Sequence, residues 1–164
     1  MTPSLARNGA LRLLPPFLFN TDQPRWLYLI KVLPLTLLPS LLLGGLLMTT
    51  PDGAPQPQLG SGIGALLMVV IIAPLLETLL MTPPVLLLNR YLGPAAAILG
   101  SALLWGILHS LAEPGWGLII WWPFLIFSTV LLAWRGKGIF GAVLTVYAAH
   151  ALHNLLPGMT LLLA

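Results

Sequence analysis

The amino-acid sequence predicts an all-α, polytopic membrane protein, a bundle of about five transmembrane helices with a cytoplasmic N-terminus. Of its 164 residues, 58% are hydrophobic and 7% are charged, whereas soluble domains carry about 25% charged residues. The apolar residues form long continuous runs, which are typical of helices and not of the alternating strands of a membrane barrel. All seven Lys and Arg residues fall on one side of the five-span arrangement.

Residues 1–25 are predicted to form a cytoplasmic or interfacial lead-in, and residues 26–164 a single transmembrane domain. The lead-in has a short apolar run, LRLLPPFLF, that two prolines interrupt. A secretory signal peptide needs a longer apolar core followed by a small-residue cleavage site. The segment also carries three basic residues, Arg7, Arg12 and Arg25.

Five apolar stretches follow, each close to the length of about 20 residues that a helix needs to cross a bilayer. Pro83-Pro84 is expected to break or kink the second helix near its end, and Pro157-Gly158 to interrupt the tail of the fifth. The predicted spans cover about residues 26–49, 63–88, 92–112, 116–134 and 139–156 or beyond.

The charge distribution predicts the orientation. The predicted outer loops contain Asp52 and Glu113 and no basic residue. Because basic residues concentrate in cytoplasmic loops, the N-terminus is expected on the cytoplasmic side. The membrane is expected to be the plasma membrane of a bacterium. The net charge of +3 is therefore explained by the basic residues that orient the protein in the lipid bilayer, and no nucleic-acid partner is expected. The inner segments contain Arg7, Arg12, Arg25, Lys31, Arg90, Arg135 and Lys137.

Five polar residues lie deep within the apolar runs: Glu77, His109, His150, His153 and Asn154. An acidic side chain at mid-bilayer costs about 2.5–3.5 kcal/mol on insertion scales, so such residues are functional candidates. At 1.5 Å per residue from the predicted inner helix ends, Glu77 lies roughly 20 Å deep, His109 roughly 25 Å, His150 roughly 16 Å and Asn154 roughly 22 Å. These four side chains are expected to share one layer.

Helical spacing predicts which way these residues face. His150 and Asn154 are four residues apart, so they project from one side of the last helix. His153 lies at the edge of that face, where a packing role is favoured. Five residues of the third predicted helix recur at intervals of four and form one column along it, and the small residues among them permit close helix packing. His109 is therefore expected to point inward, toward protein. The column comprises Gly93, Ala97, Ser101, Trp105 and His109.

These residue types suit hydrolysis of a peptide bond without a covalent intermediate. A carboxylate with a neighbouring imidazole can position and deprotonate water, and a second His with an Asn amide can stabilise the oxyanion. Other interpretations remain open at this point. Zinc could bind a Glu with two or three His, although no HExxH helix is present and no cofactor is favoured. Any one of these residues alone could instead be a packing residue or part of a proton relay.

Three short motifs on three predicted helices resemble the CPBP family, which comprises CAAX proteases and bacteriocin-processing enzymes. APLLETLLM, residues 73–81, looks like the first family motif, usually APxxEExxxR. WGILH, residues 105–109, resembles FxxxH, and HALHN, residues 150–154, matches HxxxN. The order and spacing also resemble the family over about residues 64–158.

The resemblance implies roles for individual residues. Glu77 would be the general base, His109 its partner on the catalytic water, and His150 with Asn154 the oxyanion hole. Family members cleave membrane-associated or lipidated substrates, and some confer immunity to bacteriocins. The resemblance therefore predicts an intramembrane endopeptidase of the CAAX-protease type, with a membrane-embedded or lipidated protein or peptide as its substrate.

The sequence departs from the family pattern at three positions. Thr78 replaces the second Glu, Thr82 stands where Arg is usual, and Trp105 replaces Phe. One alternative is therefore a non-catalytic immunity or chaperone-like membrane protein of the same fold. Another is a small transporter or proton-relay subunit that uses Glu77 and the histidines, although the chain lacks the repeated halves common in transporters.

Overall fold

The structure, a computed structural model, describes residues 9–51, 53, 55 and 58–163. Arg7 and Asp52, which the charge analysis assigns to opposite sides of the membrane, lie outside the described residues. The five long helices are α1 (Arg25–Leu47), α2 (Gly62–Leu92), α3 (Pro94–Ala112), α4 (Trp116–Trp134) and α5 (Ile139–Met159). Short 3-10 helices cover Gly9–Leu13, Pro16–Phe19, Arg135–Lys137 and Thr160–Leu162.

The observed architecture confirms the predicted fold class. Each of the five helices is long and apolar enough to cross a membrane, and the described residues contain no β-strand. The chain is therefore a multi-pass membrane protein. Its central element is α4, which packs against each of the other four helices and is the most buried of the five. Every residue of its second half, residues 123–134, is buried.

Of the break or kink expected at Pro83-Pro84, the break does not occur. α2 continues through both prolines to Leu92, and the single residue Gly93 connects it to α3. Gly93 has a φ of 85°, a left-handed conformation that glycine adopts without steric cost. If the helix unwound inside the hydrocarbon, many backbone N–H and C=O groups would lose their partners where no water can replace them, whereas each proline removes only one hydrogen bond. For the same reason α5 continues through Pro157 to Met159.

Hydrogen bonds between helices use carbonyl groups that prolines leave free. Pro39 has no N–H, so the carbonyl of Leu35, one turn earlier, lacks its usual helical partner. The indole Nε1 of Trp122 in α4 donates to this Leu35 oxygen at 2.8 Å. The bond satisfies a buried acceptor and joins α1 to α4 at the same time.

The reverse arrangement occurs one turn further along. Pro123 lies inside α4, so the carbonyl of Ile119 lacks its helical N–H partner. Ser40 Oγ of α1 lies 3.2 Å from the Ile119 oxygen and 3.2 Å from the Thr36 oxygen of its own helix. The Ser40 hydroxyl is thus positioned to supply the missing donor, and it gives α1 and α4 a second polar contact.

Helices α3 and α4 approach each other closely at two glycines. A Cβ atom on Gly117 would overlap the carbonyl oxygen of Gly106 and the hydroxyl of Ser110. The Gly117 N–H, at the start of α4 where helical partners are missing, donates to Ser110 Oγ at 3.1 Å. The predicted inward column of α3 is confirmed, because Ala97, Ser101 and Trp105 are all buried.

The lead-in covers the end of the bundle at which α1 begins. Leu18 is fully buried, and its carbonyl accepts a hydrogen bond from Tyr28 Oη at 2.9 Å. Lys31 bends back from α1 to donate to Gln23 at 2.8 Å. On the exposed surface, Lys137 Nζ lies 2.9 Å from Asp22 Oδ1. This hydrogen bond holds the pKa of the Asp22 carboxyl below its usual value.

Candidate active site

A cavity of about 620 Å³ lies between the helices. It is bounded by residues of all five helices and of the connection between α1 and α2. Most of its lining is aliphatic or aromatic. The five polar residues that lie deep in the apolar runs of the sequence all line it, and they are Glu77, His109, His150, His153 and Asn154.

Glu77 is the centre of this polar cluster. Its Oε1 lies 3.8 Å from His109 Nε2, and its Oε2 lies 3.5 Å from His150 Nε2. The Glu77 side chain is 22% exposed, against 11% for His109 and 5% for His150. Both distances exceed a normal hydrogen bond, about 2.9 Å. Within the described part of the chain, no hydrogen bond to the carboxylate is present, so its accessible oxygens face the cavity with their acceptor capacity unused.

The backbone fixes the ring of His109. Its Nδ1 lies 2.8 Å from the carbonyl oxygen of Trp105, one turn earlier in α3. A carbonyl only accepts, so Nδ1 carries the proton, and in a neutral ring Nε2 is then an acceptor. Trp116 packs edge-on against the same ring, with centroids 4.8 Å apart. His109 therefore presents an acceptor nitrogen to the space beside Glu77.

Aromatic residues of α4 support the two histidines of α5. Phe127 lies 4.5 Å from the His150 ring and 6.0 Å from the His153 ring, measured between centroids. Phe124 packs against both His150 and His109. The Nδ1 atoms of His150 and His153 are buried and have no hydrogen-bond partner among the described residues. Packing against rings, and not hydrogen bonding at Nδ1, thus sets the position of His150.

Asn154 is held by an irregular turn of α2. Residues Met68–Ile72 form a π-helical turn in which the Ala73 N–H bonds to the Met68 oxygen, and Pro74 has no N–H to offer. The carbonyl of Val69 is consequently left without a backbone donor. Asn154 Nδ2 donates to this Val69 oxygen at 2.9 Å. One of the two N–H groups of the Asn154 amide is thus used in joining α5 to α2.

The two threonines that depart from the family pattern lie outside the cavity wall. Thr78 and Thr82 are buried at 1% and 9% exposure, and neither lines the cavity. Thr82 hydrogen-bonds within its own helix, where its Oγ1 donates to the Thr78 carbonyl at 2.7 Å. The Oγ1 of Thr78 has no hydrogen-bond partner in the described structure.

The structure brings the predicted site residues together. Glu77, His109, His150 and Asn154, from three helices, all line one cavity, and their catalytic roles stay predictions. His153, for which the sequence favours packing, lines the cavity as well. Sequence reasoning missed the Val69 carbonyl, although Pro74 signals that the backbone hydrogen bonds of this turn are incomplete.

No group of three or more His, Cys, Asp and Glu side chains is arranged to hold a metal ion among the described residues. The expectation that the site works without a cofactor stays a prediction.

The chain was compared with family models, curated proteins and solved structures. No family model, no curated protein and no solved structure matches it.

Proposed function

We propose that this protein is an intramembrane endopeptidase that hydrolyses a peptide bond of a membrane-associated substrate with a water activated by Glu77. One observation carries the proposal. A carboxylate and an acceptor imidazole nitrogen, 3.8 Å apart, face one cavity deep inside an apolar bundle. A water placed about 2.8 Å from each can donate one hydrogen to each. The resemblance to the CPBP motifs supports the same assignment.

The first step is attack by this water on the substrate carbonyl. Its two hydrogens point to Glu77 and to His109 Nε2, so an oxygen lone pair is directed to the carbonyl carbon. As the C–O bond forms, Glu77 takes a proton and acts as the general base. His109 keeps the water oriented, because the Trp105 carbonyl holds its Nδ1–H.

The second step is breakdown of the tetrahedral intermediate. His150 Nε2, 3.5 Å from Glu77, and the second N–H of the Asn154 amide supply donors for the oxyanion. The C–N bond then breaks, and Glu77 passes its proton to the leaving amine nitrogen. Glu77 returns to the carboxylate form, and a carboxyl and an amine product leave the cavity.

The proposal is tested by peptidomics of membranes that contain wild-type protein or the variant Glu77→Gln. New peptide ends are expected with wild-type protein and not with Glu77→Gln, because loss of a general base typically costs about 10²–10⁴-fold in rate. The variant His109→Ala should behave in the same way while the protein still inserts and accumulates.

Glu113→Gln is the matched control, because it makes the same chemical change in the connection between α3 and α4. It should retain the wild-type peptide pattern. Identical patterns from wild-type, Glu77→Gln and His109→Ala proteins would contradict hydrolysis and would leave the non-catalytic immunity or chaperone-like alternative. Proton or solute movement in liposomes that depends on Glu77, without peptide products, would instead support the relay alternative.

A further inference from the structure

The cavity occupies only one half of the bundle. Its lining residues come from the second half of α1, the first half of α2, the end of α3, the first two-thirds of α4 and the second half of α5. Met48, Leu59 and Trp116 line it at the level of the connections α1–α2 and α3–α4. Phe127 is the lining residue nearest the opposite end of α4, and it lies roughly 10 Å from Trp134 at 1.5 Å per residue.

The other half of the bundle is closed. From Phe127 to Trp134, every residue of α4 is buried, and Tyr28 and Val32 of α1 are fully buried in the same half. The lead-in covers this end through the hydrogen bond from Tyr28 to Leu18. Arg25 also lies over the ring of Trp134, 5.4 Å from its centroid. Packed side chains and the lead-in thus fill this half of the bundle around α4.

Charge assigns the two halves to the two sides of the membrane. All described basic residues belong to the lead-in, to the closed half of the bundle or to the connection between α4 and α5, and they are Arg12, Arg25, Lys31, Arg90, Arg135 and Lys137. The described residues of the connections at the open end include Glu113 and no Lys or Arg. Basic residues mark the cytoplasmic side, so the open half faces away from the cytoplasm.

We infer that the cavity takes water and substrate from the outer face of the membrane, and that its substrate is an uncharged, apolar polypeptide segment and not a chain end that bears a carboxylate. Glu77 is the only Asp, Glu, Lys or Arg among the described lining residues. A substrate carboxylate would find no cation there and would be repelled by Glu77. The apolar lining residues, which include Leu37, Leu41 and Ile120, suit aliphatic side chains of a substrate. The substrate part of this inference rests on the proposed hydrolysis, whereas the access part does not.

The access part is tested by thiol labelling, for which the cysteine-free sequence gives no background. Leu41→Cys places a thiol in the cavity wall, and Leu42→Cys places one at the same depth outside it. Tyr91→Cys marks the basic end, where the side chain is 70% exposed. A cationic, membrane-impermeant methanethiosulfonate is applied to right-side-out and to inverted vesicles.

Labelling of Leu41→Cys is expected in right-side-out vesicles and of Tyr91→Cys only in inverted ones. Leu42→Cys should react at least tenfold more slowly than Leu41→Cys, because a thiol surrounded by lipid does not ionise. Labelling of Leu41→Cys only from the inverted side would overturn the inference, as would equal rates for Leu41→Cys and Leu42→Cys. Neither result depends on peptide cleavage, so each is separate from a failure of the proposed hydrolysis.

The substrate part is tested by protection of the same thiol. An apolar peptide with acetylated and amidated ends, added outside, should slow labelling of Leu41→Cys at least threefold more than the same peptide with a free carboxylate. In the double variant Leu41→Cys with Glu77→Gln, this difference should shrink. Equal protection by the two peptides, or better protection by the free carboxylate, would overturn the substrate assignment.

Discussion

The variant Gly117→Ala tests whether the close approach of α3 and α4 stabilises the protein. The added Cβ would overlap the backbone oxygen of Gly106, and a backbone atom cannot move aside as the end of a flexible side chain can. Overpacking typically costs about 1–3 kcal/mol. Separating the helices also weakens the hydrogen bond from Gly117 to Ser110, worth about 0.5–1.5 kcal/mol. We therefore expect a loss of about 2–4 kcal/mol in the free energy of unfolding.

Two further glycines calibrate the measurement. A Cβ on Gly106 would meet Trp121 Cβ at 3.3 Å, whereas a Cβ on Gly64 would meet nothing within 4 Å. The expected order of destabilisation is therefore Gly117→Ala, then Gly106→Ala, then Gly64→Ala. The last variant is expected to be neutral or slightly stabilising, because Ala favours helix over Gly by about 1 kcal/mol.

The free energies can be measured by titrating the protein with sodium dodecyl sulfate in mixed micelles and following the fluorescence of its six tryptophans. A Gly117→Ala protein as stable as the Gly64→Ala protein would refute the reasoning about the α3–α4 contact. His109 lies in α3 between Gly106 and Ser110, so the same variant should also change the reactivity of the site. If the α3–α4 contact were unimportant, Gly117→Ala would change neither the stability of the protein nor the reactivity of the site.

Three smaller predictions concern single polar contacts. Trp122→Phe removes the indole donor to the Leu35 carbonyl, which is left without a partner, and should lower the free energy of unfolding by about 1–3 kcal/mol, measured in the same titration. Asn154→Ala removes the donor to the Val69 carbonyl; it should destabilise by about 1–3 kcal/mol and reduce cleavage, whereas a variant with unchanged stability would contradict the observed bond. Lys137 favours the charged form of Asp22 and lowers the pKa of this carboxyl from 3.8. The pair therefore stabilises the folded state above pH 3.8, and this stabilisation is lost as the pH falls through the lowered pKa. Lys137→Met should raise the Asp22 pKa, as carboxyl NMR titration can show.

The helices could be predicted from the sequence because hydrocarbon imposes a simple requirement. Every backbone group must be satisfied inside the bilayer, so a long apolar run becomes a helix. The predicted span 116–134 coincides with α4. The expected break at Pro83-Pro84 came from a rule for helices in water, where a broken turn can be hydrated. Inside the membrane the same prolines remain within α2, which ends at Leu92.

The depth and facing of the site residues were also predictable, since both follow from helical rise and spacing. The partners of Asn154 were not. Its amide donates to a carbonyl of α2 that a π-helical turn leaves free, and such a turn depends on packing between helices. The same limit applied to His153, whose place in the cavity depends on how α5 rotates against Phe127.

The polar residues of this bundle fall into two groups according to whether the protein itself satisfies them. Trp122 and Asn154 each donate to a backbone carbonyl of another helix, so both stabilise the fold, and Asn154 keeps a second N–H for the proposed site. Glu77 differs, because its carboxylate has no hydrogen bond in the described structure, and the imidazole nitrogens of His150 and His109 lie 3.5 and 3.8 Å from it. A carboxylate so placed costs free energy that packing does not return. Glu77→Gln should therefore leave the protein at least as stable as wild type, whereas Asn154→Ala should make it less stable. A Glu77→Gln protein that unfolds more readily than wild type would show that Glu77 stabilises the fold, and it would contradict this distinction.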